Sequence, residues 1–233
     1  MSPQVVGLVM AGGRSTRMRA AGCELHKALR LMRGTPLIER SILALSGRGL
    51  SQVFVSLSRS EPALVHWVST NRERLQHELG SELRLIVEDA PLGTIGAIAL
   101  LPPTVEVVLV VNVDNVTTLD LTDLMRVHRW SGAAATIACH EHRVRLPYGR
   151  LDLSGERVTR YAEKPVVHVP VSSGTYVLSR DAIDMVMPGA AMDVPVLIAM
   201  LLARGAMVSA YRHDAEWLDI NDEATLREAE ARG

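Results

Sequence analysis

Val9-Met10-Ala11-Gly12-Gly13-Arg14-Ser15-Thr16-Arg17-Met18, with Lys27 ten residues past Arg17, is the stretch whose reading decides the fold. It follows an apolar run, Val5 to Met10, that reads as a buried parallel strand. Two adjacent glycines at the strand's end let the backbone turn sharply and lie against a ligand, because neither carries a Cβ. Amide N–H groups in such a loop converge on phosphate oxygens, and Arg17 and Lys27 add charge-assisted contacts. The loop is not a Walker loop, Gly-x-x-x-x-Gly-Lys-Ser/Thr, nor a dinucleotide loop, Gly-x-Gly-x-x-Gly. An ordinary tight turn before a helix is the plainer alternative.

The charge around the loop favours a ligand. Arg14, Arg17, Arg19, Lys27, Arg30 and Arg33 fall within twenty residues that contain one acid, Glu24. A polyanion beside Gly12-Gly13 explains this better than a solvated loop does. Over the whole chain the net charge is −1, which argues against nucleic-acid or membrane binding. With 233 residues, 48% hydrophobic and 22% charged, the chain can form one large α/β domain. No run of about 18 apolar residues exists. Met1-Ser2-Pro3-Gln4 leads directly into the first strand, so no signal peptide is expected. No appended acyltransferase or regulatory domain is expected after Gly233. Cys23 and Cys139 give neither a disulfide framework nor metal spacing, which fits a cytoplasmic location. Cys139, at the end of an apolar run, reads as a core thiol.

Short apolar runs alternate with longer amphipathic segments through the first two thirds. Strands are expected at Val5–Met10, Gln52–Leu57, Leu83–Val87 and Val105–Val111. Helices are expected at Pro36–Ser46, Glu61–Leu79, Thr94–Leu101 and Leu121–Trp130. This order predicts a mostly parallel sheet covered by helices on both faces. After Gly132 shorter strands follow, at Ala133–His140, Gly149–Leu153, Val158–Ala162 and Val169–Leu178. A helix at Val194–Ala203, a strand at Met207–Arg212 and a helix at Glu223–Ala231 finish the chain. One domain spanning 1–233 is expected, in two parts, 1–131 and 132–233.

Four further constellations carry chemistry. Glu88-Asp89-Ala90-Pro91-Leu92-Gly93-Thr94-Ile95-Gly96-Ala97 lies after a strand and before a helix. Gly93 and Gly96 would let a flat base lie against the backbone, and a helix start would offer free N–H groups. The apolar strand Val108-Leu109-Val110-Val111-Asn112-Val113-Asp114 ends in a carboxylate, where open parallel sheets place ligands. Glu216-Trp217-Leu218-Asp219-Ile220 supplies a second Asp in an apolar frame. Two carboxylates plus phosphate oxygens make an oxygen-only site suited to Mg²⁺. Tyr148-Gly149 with Glu163-Lys164-Pro165 offers a cation for a phosphate and an acceptor for hydroxyls. His140 and His142 share one side of a strand and read as a polar face rather than metal ligands.

In family order the chain carries Ala11-Gly12-Gly13-x-x-Thr16-Arg17-Met18 with Lys27, Pro91-Leu92-Gly93-Thr94-x-Gly96-Ala97, Asn112-x-Asp114, Glu163-Lys164-Pro165 and Trp217-Leu218-Asp219-Ile220. On these motifs it resembles the sugar-1-phosphate nucleotidylyltransferases over essentially its whole length. The resemblance implies a Rossmann-like, three-layer α/β/α nucleotidyltransferase fold with a mostly parallel mixed sheet. Leu146-Pro147-Tyr148-Gly149 and Met192-Asp193-Val194-Pro195 look closest to the bacterial branch that guanylates mannose- and heptose-type 1-phosphates. The implied reaction moves GMP from GTP onto a sugar 1-phosphate or a sugar-like cyclitol 1-phosphate and releases pyrophosphate. Implied catalytic residues are Arg17, Lys27 and Asp114, with Asp114 and Asp219 as Mg²⁺ ligands. Ala11, Gly12, Gly13, Glu88, Pro91, Gly93, Thr94 and Asn112 would hold the nucleotide. Glu88 or a loop carbonyl is available as the acceptor that guanine needs. Tyr148, Gly149, Glu163, Lys164, Ser172, Gly174 and Trp217 would hold the sugar phosphate. A homodimer is compatible with this reading.

The chain also departs from the family. His26 and Ala28 flank Lys27 where prolines are usual, Val113 replaces a glycine, and Ser15 stands for another glycine. Ser172 stands where an asparagine usually holds sugar hydroxyls, so a bulkier or differently hydroxylated acceptor than mannose 1-phosphate is expected. The opening loop also resembles molybdopterin guanylyltransferases and cytidylyltransferases, and a non-catalytic nucleotide-sugar sensor is the other alternative. Glu163-Lys164-Pro165 and Trp217-Leu218-Asp219 favour the sugar branch, and the retained charged groups favour an enzyme.

Overall fold

The computed structural model describes residues 4–13, 26–220 and 222–231. Strand β1, Gln4–Ala11, is buried from Val6 onward because it lies between two helical layers. Its alternate side chains go to opposite faces: Val9 and Ala11 join one core, Val6, Leu8 and Met10 the other. The small strands β2, Leu31–Met32, and β3, Thr35–Pro36, then lead into helix α1, Leu37–Leu43. Next come β4, Gln52–Ser58, α2, Pro62–Leu79, and β5, Glu82–Glu88. A 3₁₀ turn at Gly96–Leu100 precedes β6, Val105–Asn112, the three-residue β7, Asn115–Thr117, and α3, Leu121–Ser131. The remainder is β8, Ala135–Arg145; β9, Arg150–Ser154; β10, Arg157–Ala162; β11, Val166–Ser179; α4, Arg180–Ile183; α5, Val194–Ala203; β12, Val208–Arg212; β13, Trp217–Asp219; and α6, Glu223–Ala231.

Seven strands form one sheet in the order β12-β8-β11-β6-β1-β4-β5. The pairs from β6 through β1 and β4 to β5 are parallel, while β11 runs antiparallel to both β6 and β8. Helices α1, α2 and α3 pack on one face through Ile38, Ile42, Leu64, Val68, Leu75 and Leu124. The 3₁₀ turn, α4 and α5 cover the other through Ile98, Ile183, Leu197 and Leu201. This is the three-layer, mostly parallel α/β arrangement expected from the sequence. The chain leaves β1 toward β4 and β5, then crosses back to lay β6 on β1's other side. The carboxyl ends of β1, β5 and β6 therefore open beside this switch point.

Three expectations change. The helix expected at Thr94–Leu101 is only a 3₁₀ turn, because the N–H groups that would open it are taken elsewhere. Thr94 donates to Asp193 Oδ1 at 2.8 Å and Ile95 to the Met192 carbonyl at 3.0 Å. Strands β8 and β11 run past His140 to Arg145 and back to Val166, since their cross-strand pairing continues beyond the apolar residues. Strands β7 and β13 were invisible in the pattern, being three residues each, yet they pair antiparallel and place Asp219 opposite Asn115.

Candidate active site

Beyond β1, Gly12 lies against Glu88 so closely that a Cβ would stand 2.5 Å from its Oε1. Glu88 is only 3% exposed, and both its oxygens are occupied: Oε1 accepts from the Ser56 hydroxyl, and Oε2 from the Leu92 N–H at 3.0 Å. It thus ties the glycine loop, β4 and the Pro91–Thr94 loop together. His26 fastens the loop's other side. Its Nδ1 accepts from the Ala28 N–H at 3.1 Å, so its proton is on Nε2, which donates to the Gly13 carbonyl at 2.6 Å. The adjacent Lys27 forms an ion pair with Asp114. Ala11, Gly12, Gly13, Lys27, Glu88, Pro91, Gly93, Thr94, Asn112 and Asp114 all line one cavity of about 260 Å³.

Gly93 and Gly96 serve another purpose than the one expected. A Cβ on Gly93 would meet the Met192 carbonyl at 2.5 Å and Asp193 Oδ1 at 2.9 Å; one on Gly96 would meet the Ala190 carbonyl at 3.0 Å. The missing side chains admit the chain's own 190–193 segment rather than a base. The expected free N–H groups are likewise bonded, with Gly96 N–H reaching the Leu92 carbonyl at 3.2 Å.

Asp114 and Asp219 are brought together by backbone pairing. Asp219 stands opposite Asn115, and the Ile220 N–H donates to the Asp114 carbonyl at 2.9 Å. No cluster of three or more His, Cys, Asp or Glu forms a metal cage among the described residues. A pair of carboxylates with open positions left to phosphate and water oxygens is a donor set that fits Mg²⁺.

The Ser172–Gly174 bulge of β11 borders this pair. Strand β11 leaves register with β8 at Ser172 and resumes at Tyr176, so three residues oppose Ala138 alone. Gly174, at φ +68°, leaves room for the amides of Asn112 and Asn115, which a Cβ would strike. The Ser172 hydroxyl is already engaged, donating to Tyr176 at 3.0 Å and accepting from the Gly174 N–H at 3.3 Å. Burial raises the Tyr176 phenol's pKa, and the charge on Asp114 adds to this. Trp217 donates from its indole to the Ser173 carbonyl at 2.8 Å.

Tyr148, Gly149, Glu163 and Lys164 flank the β9–β10 pair and are not in the lining of the Asp114 cavity. Gly149 packs against the Tyr161 ring, and Tyr161 donates to Glu163 Oε2 at 2.5 Å. Tyr148 is 77% exposed, and Lys164 is an exposed non-glycine residue at φ +44°. No hydrogen bond among the described residues joins these four to the Asp114 cavity.

The basic cluster divides. Arg17, with Arg14 and Arg19, lies outside the described residues. Arg30 instead pairs with Glu223, and Arg33 donates to the Glu230 carbonyl at 3.1 Å, so these two fasten α6 rather than a polyanion. Sequence reasoning missed Ser56 and Asn115, took His26 only as a departure, and quoted Asp193 in a motif without its role; Ser56, Asn115 and Asp193 each act on a partner far along the chain. Cys139 is buried, as expected.

A cavity at the switch point of a parallel sheet, lined by Gly12, Gly13, Lys27 and Asp114 and with Asp219 paired to the adjoining strand, defines an α/β protein built to handle phosphates. The chain matches the family described as nucleotidyl transferase over residues 6–232, and it belongs to that family. It is 28% identical over 189 residues to the mannose-1-phosphate guanyltransferase of Pichia angusta, covering 77% of this chain and 51% of that protein. To mannose-1-phosphate guanyltransferase beta-B of Xenopus laevis it is 26% identical over 221 residues, covering 91% and 60%. The chain thus spans 51% to 60% of the length of these curated relatives. The crystal structure of HddC from Yersinia pseudotuberculosis matches with a TM-score of 0.74 at 22% identity, over 97% of this chain and 98% of that one. The same protein complexed with GMP-PN gives 0.70. At this identity the likeness shows the fold.

Proposed function

We propose that the protein transfers GMP from GTP onto the phosphate of a sugar 1-phosphate, or of a sugar-like cyclitol 1-phosphate, and releases pyrophosphate. The observation that carries this is the convergence of the Gly12–Gly13 backbone, Lys27, Asp114 and Asp219 beside the Ser172–Gly174 bulge. A triphosphate fits the first part of that list, and an acceptor fits the side formed by the bulge. The guanyltransferase names of the relatives and the GMP-PN complex of HddC support the choice of base.

In the proposed step an oxygen of the acceptor phosphate forms a bond to the α-phosphorus of GTP. The bond from that phosphorus to the β-phosphate oxygen breaks, and pyrophosphate leaves with the electron pair. No general base is needed, because a phosphate monoester with a second pKa of about 6 is already ionised. Lys27 holds triphosphate oxygens, and Arg17 neutralises charge on the leaving group. Asp114 and Asp219 would hold Mg²⁺, which supplies further charge neutralisation on the phosphates. Lys164 holds the acceptor phosphate. With both Glu88 oxygens engaged, a loop carbonyl is the better candidate for reading guanine N1–H and N2–H.

No helix among the described residues is long and apolar enough to cross a membrane. We place the reaction in the cytoplasm, where a buried free thiol such as Cys139 is at home. Pyrophosphate release, measured with each nucleoside triphosphate, Mg²⁺ and a panel of sugar 1-phosphates, tests the reading. Fastest release with GTP is expected. Faster release with UTP, dTTP or CTP overturns the base while leaving the reaction.

A further inference from the structure

Behind the bulge lie groups that the proposed chemistry does not use. Ser173 is 1% exposed and is gripped on every polar atom of its side chain and carbonyl. Its carbonyl accepts from Asn115 Nδ2 at 2.7 Å and from the Trp217 indole at 2.8 Å. Its hydroxyl lies 2.9 Å from His140 Nδ1 and 2.8 Å from His213 Nε2. The His140 ring rests on Trp217 with centroids 4.5 Å apart. One residue thereby gathers contacts from β7, β8, β13 and the segment after β12.

The proton count gives this arrangement a direction. The buried Ser173 hydroxyl has one proton, which needs an acceptor, and the two imidazoles are its only partners among the described residues, so one ring accepts from it and the other donates to it. His213 Nδ1 is buried and has no hydrogen-bond partner among the described residues. A proton there would be stranded as an unmet buried donor. It therefore sits on Nε2 and is donated to Ser173. The Ser173 hydroxyl in turn donates to His140 Nδ1, which leaves the His140 proton on Nε2. Both rings must be neutral for this, and burial lowers both pKa values. The neighbouring His142 lowers that of His140 further; His140 does the same to His213, against an opposing pull from Asp214.

We propose that His213, Ser173 and His140 form a one-directional positioning relay that fixes the Ser172–Gly174 bulge as a wall of the acceptor pocket. The role of that pocket rests on the sugar-phosphate reading above. The residues touch no reacting atom in it; they act through the backbone between Ser172 and Gly174, which Asn115 and Trp217 hold from the metal-ligand side. A loosened bulge weakens acceptor binding and leaves GTP binding at Gly12–Gly13 alone.

Two measurements on the full chain decide it. Long-range nitrogen–proton NMR reads the tautomers without any turnover: protons on Nε2 of both His140 and His213 are expected, and a proton on Nδ1 of either ring overturns the relay. In steady-state kinetics, His213→Leu removes the donor and should raise the acceptor KM about tenfold, with kcat and the GTP KM within about twofold. His213→Gln, whose amide can still donate to Ser173, should recover most of that loss. An unchanged acceptor KM in His213→Leu, or an equal rise for both substrates, contradicts the relay. A chain inactive toward every sugar phosphate refutes the functional reading instead, and the tautomers then decide the relay alone.

Discussion

Lys27 and Asp114 pair where little of either side chain meets water, 19% and 14% exposed, so solvent screens the pair less than a surface ion pair. Asp114 cannot move without disturbing β13, because its carbonyl takes the Ile220 N–H. Removing either carboxylate's charge should therefore leave the fold and damage the chemistry. Asp114→Asn and Asp219→Asn are each expected to cut turnover by at least roughly 10²-fold, since each deletes a charged ligand from the proposed Mg²⁺ site. Near-normal rates in both variants at millimolar Mg²⁺ would contradict the two-carboxylate site, while loss in one alone would assign the ligand to that residue. At this scale the gathering of Gly12, Gly13, Lys27 and Asp114 around one cavity was legible, because strand ends followed by special residues leave a local pattern. The duties of Glu88, Gly93 and Gly96 were not. Each answers to a residue at a distance, Ser56 or the 190–193 segment, which no window of sequence contains.

Helix α3 shows how an element stores a testable polar contact. Asp120 caps it by accepting from the Thr122 and Asp123 N–H groups at 2.9 and 3.1 Å, and its inner face buries Leu121, Leu124 and Met125. That face also carries His128, 2% exposed, held between the Thr136 hydroxyl at 2.8 Å and the Ser179 hydroxyl at 3.0 Å. Burial lowers its pKa to about 4, against 6.5 for the free imidazole. Below the unfolded value the unfolded chain takes up a proton that the native protein refuses. Stability is lost as pH falls from about 6.5 to about 4, by about 3 kcal/mol for this group, and the loss levels off below. Urea unfolding near pH 7 and pH 5 should show the wild type losing about 2 kcal/mol more than His128→Gln over that interval. Parallel losses in the two proteins would mean that His128 titrates normally in the fold. Long elements such as α2 and β6 were readable because many residues share one period. Three-residue strands such as β7 and β13 have no period to read, and the Thr94–Leu101 pattern yielded to hydrogen bonds that the Thr94 and Ile95 N–H groups donate to Asp193 and Met192.

Across the whole molecule, one sheet draws strands from both halves of the sequence, and the site sits where they meet. Strands β1, β5 and β6 end at the nucleotide side, while β11 arrives antiparallel and presents its bulge from the later half. The parallel half was predictable from alternating elements; the order in which β11, β8 and β12 extend it was not, since edge order depends on pairings far apart in sequence. In the proposed reaction the acceptor phosphate attacks the α-phosphorus of GTP rather than the reverse. Mass spectrometry of the product made from unlabelled GTP and a sugar 1-phosphate fully labelled with heavy oxygen in its phosphate reads the direction of attack. The expected product is a GDP-sugar that keeps every labelled oxygen, formed together with unlabelled pyrophosphate. A product missing one label, or labelled phosphate left untouched while GTP is hydrolysed to GMP and pyrophosphate, would contradict nucleotidyl transfer at this site.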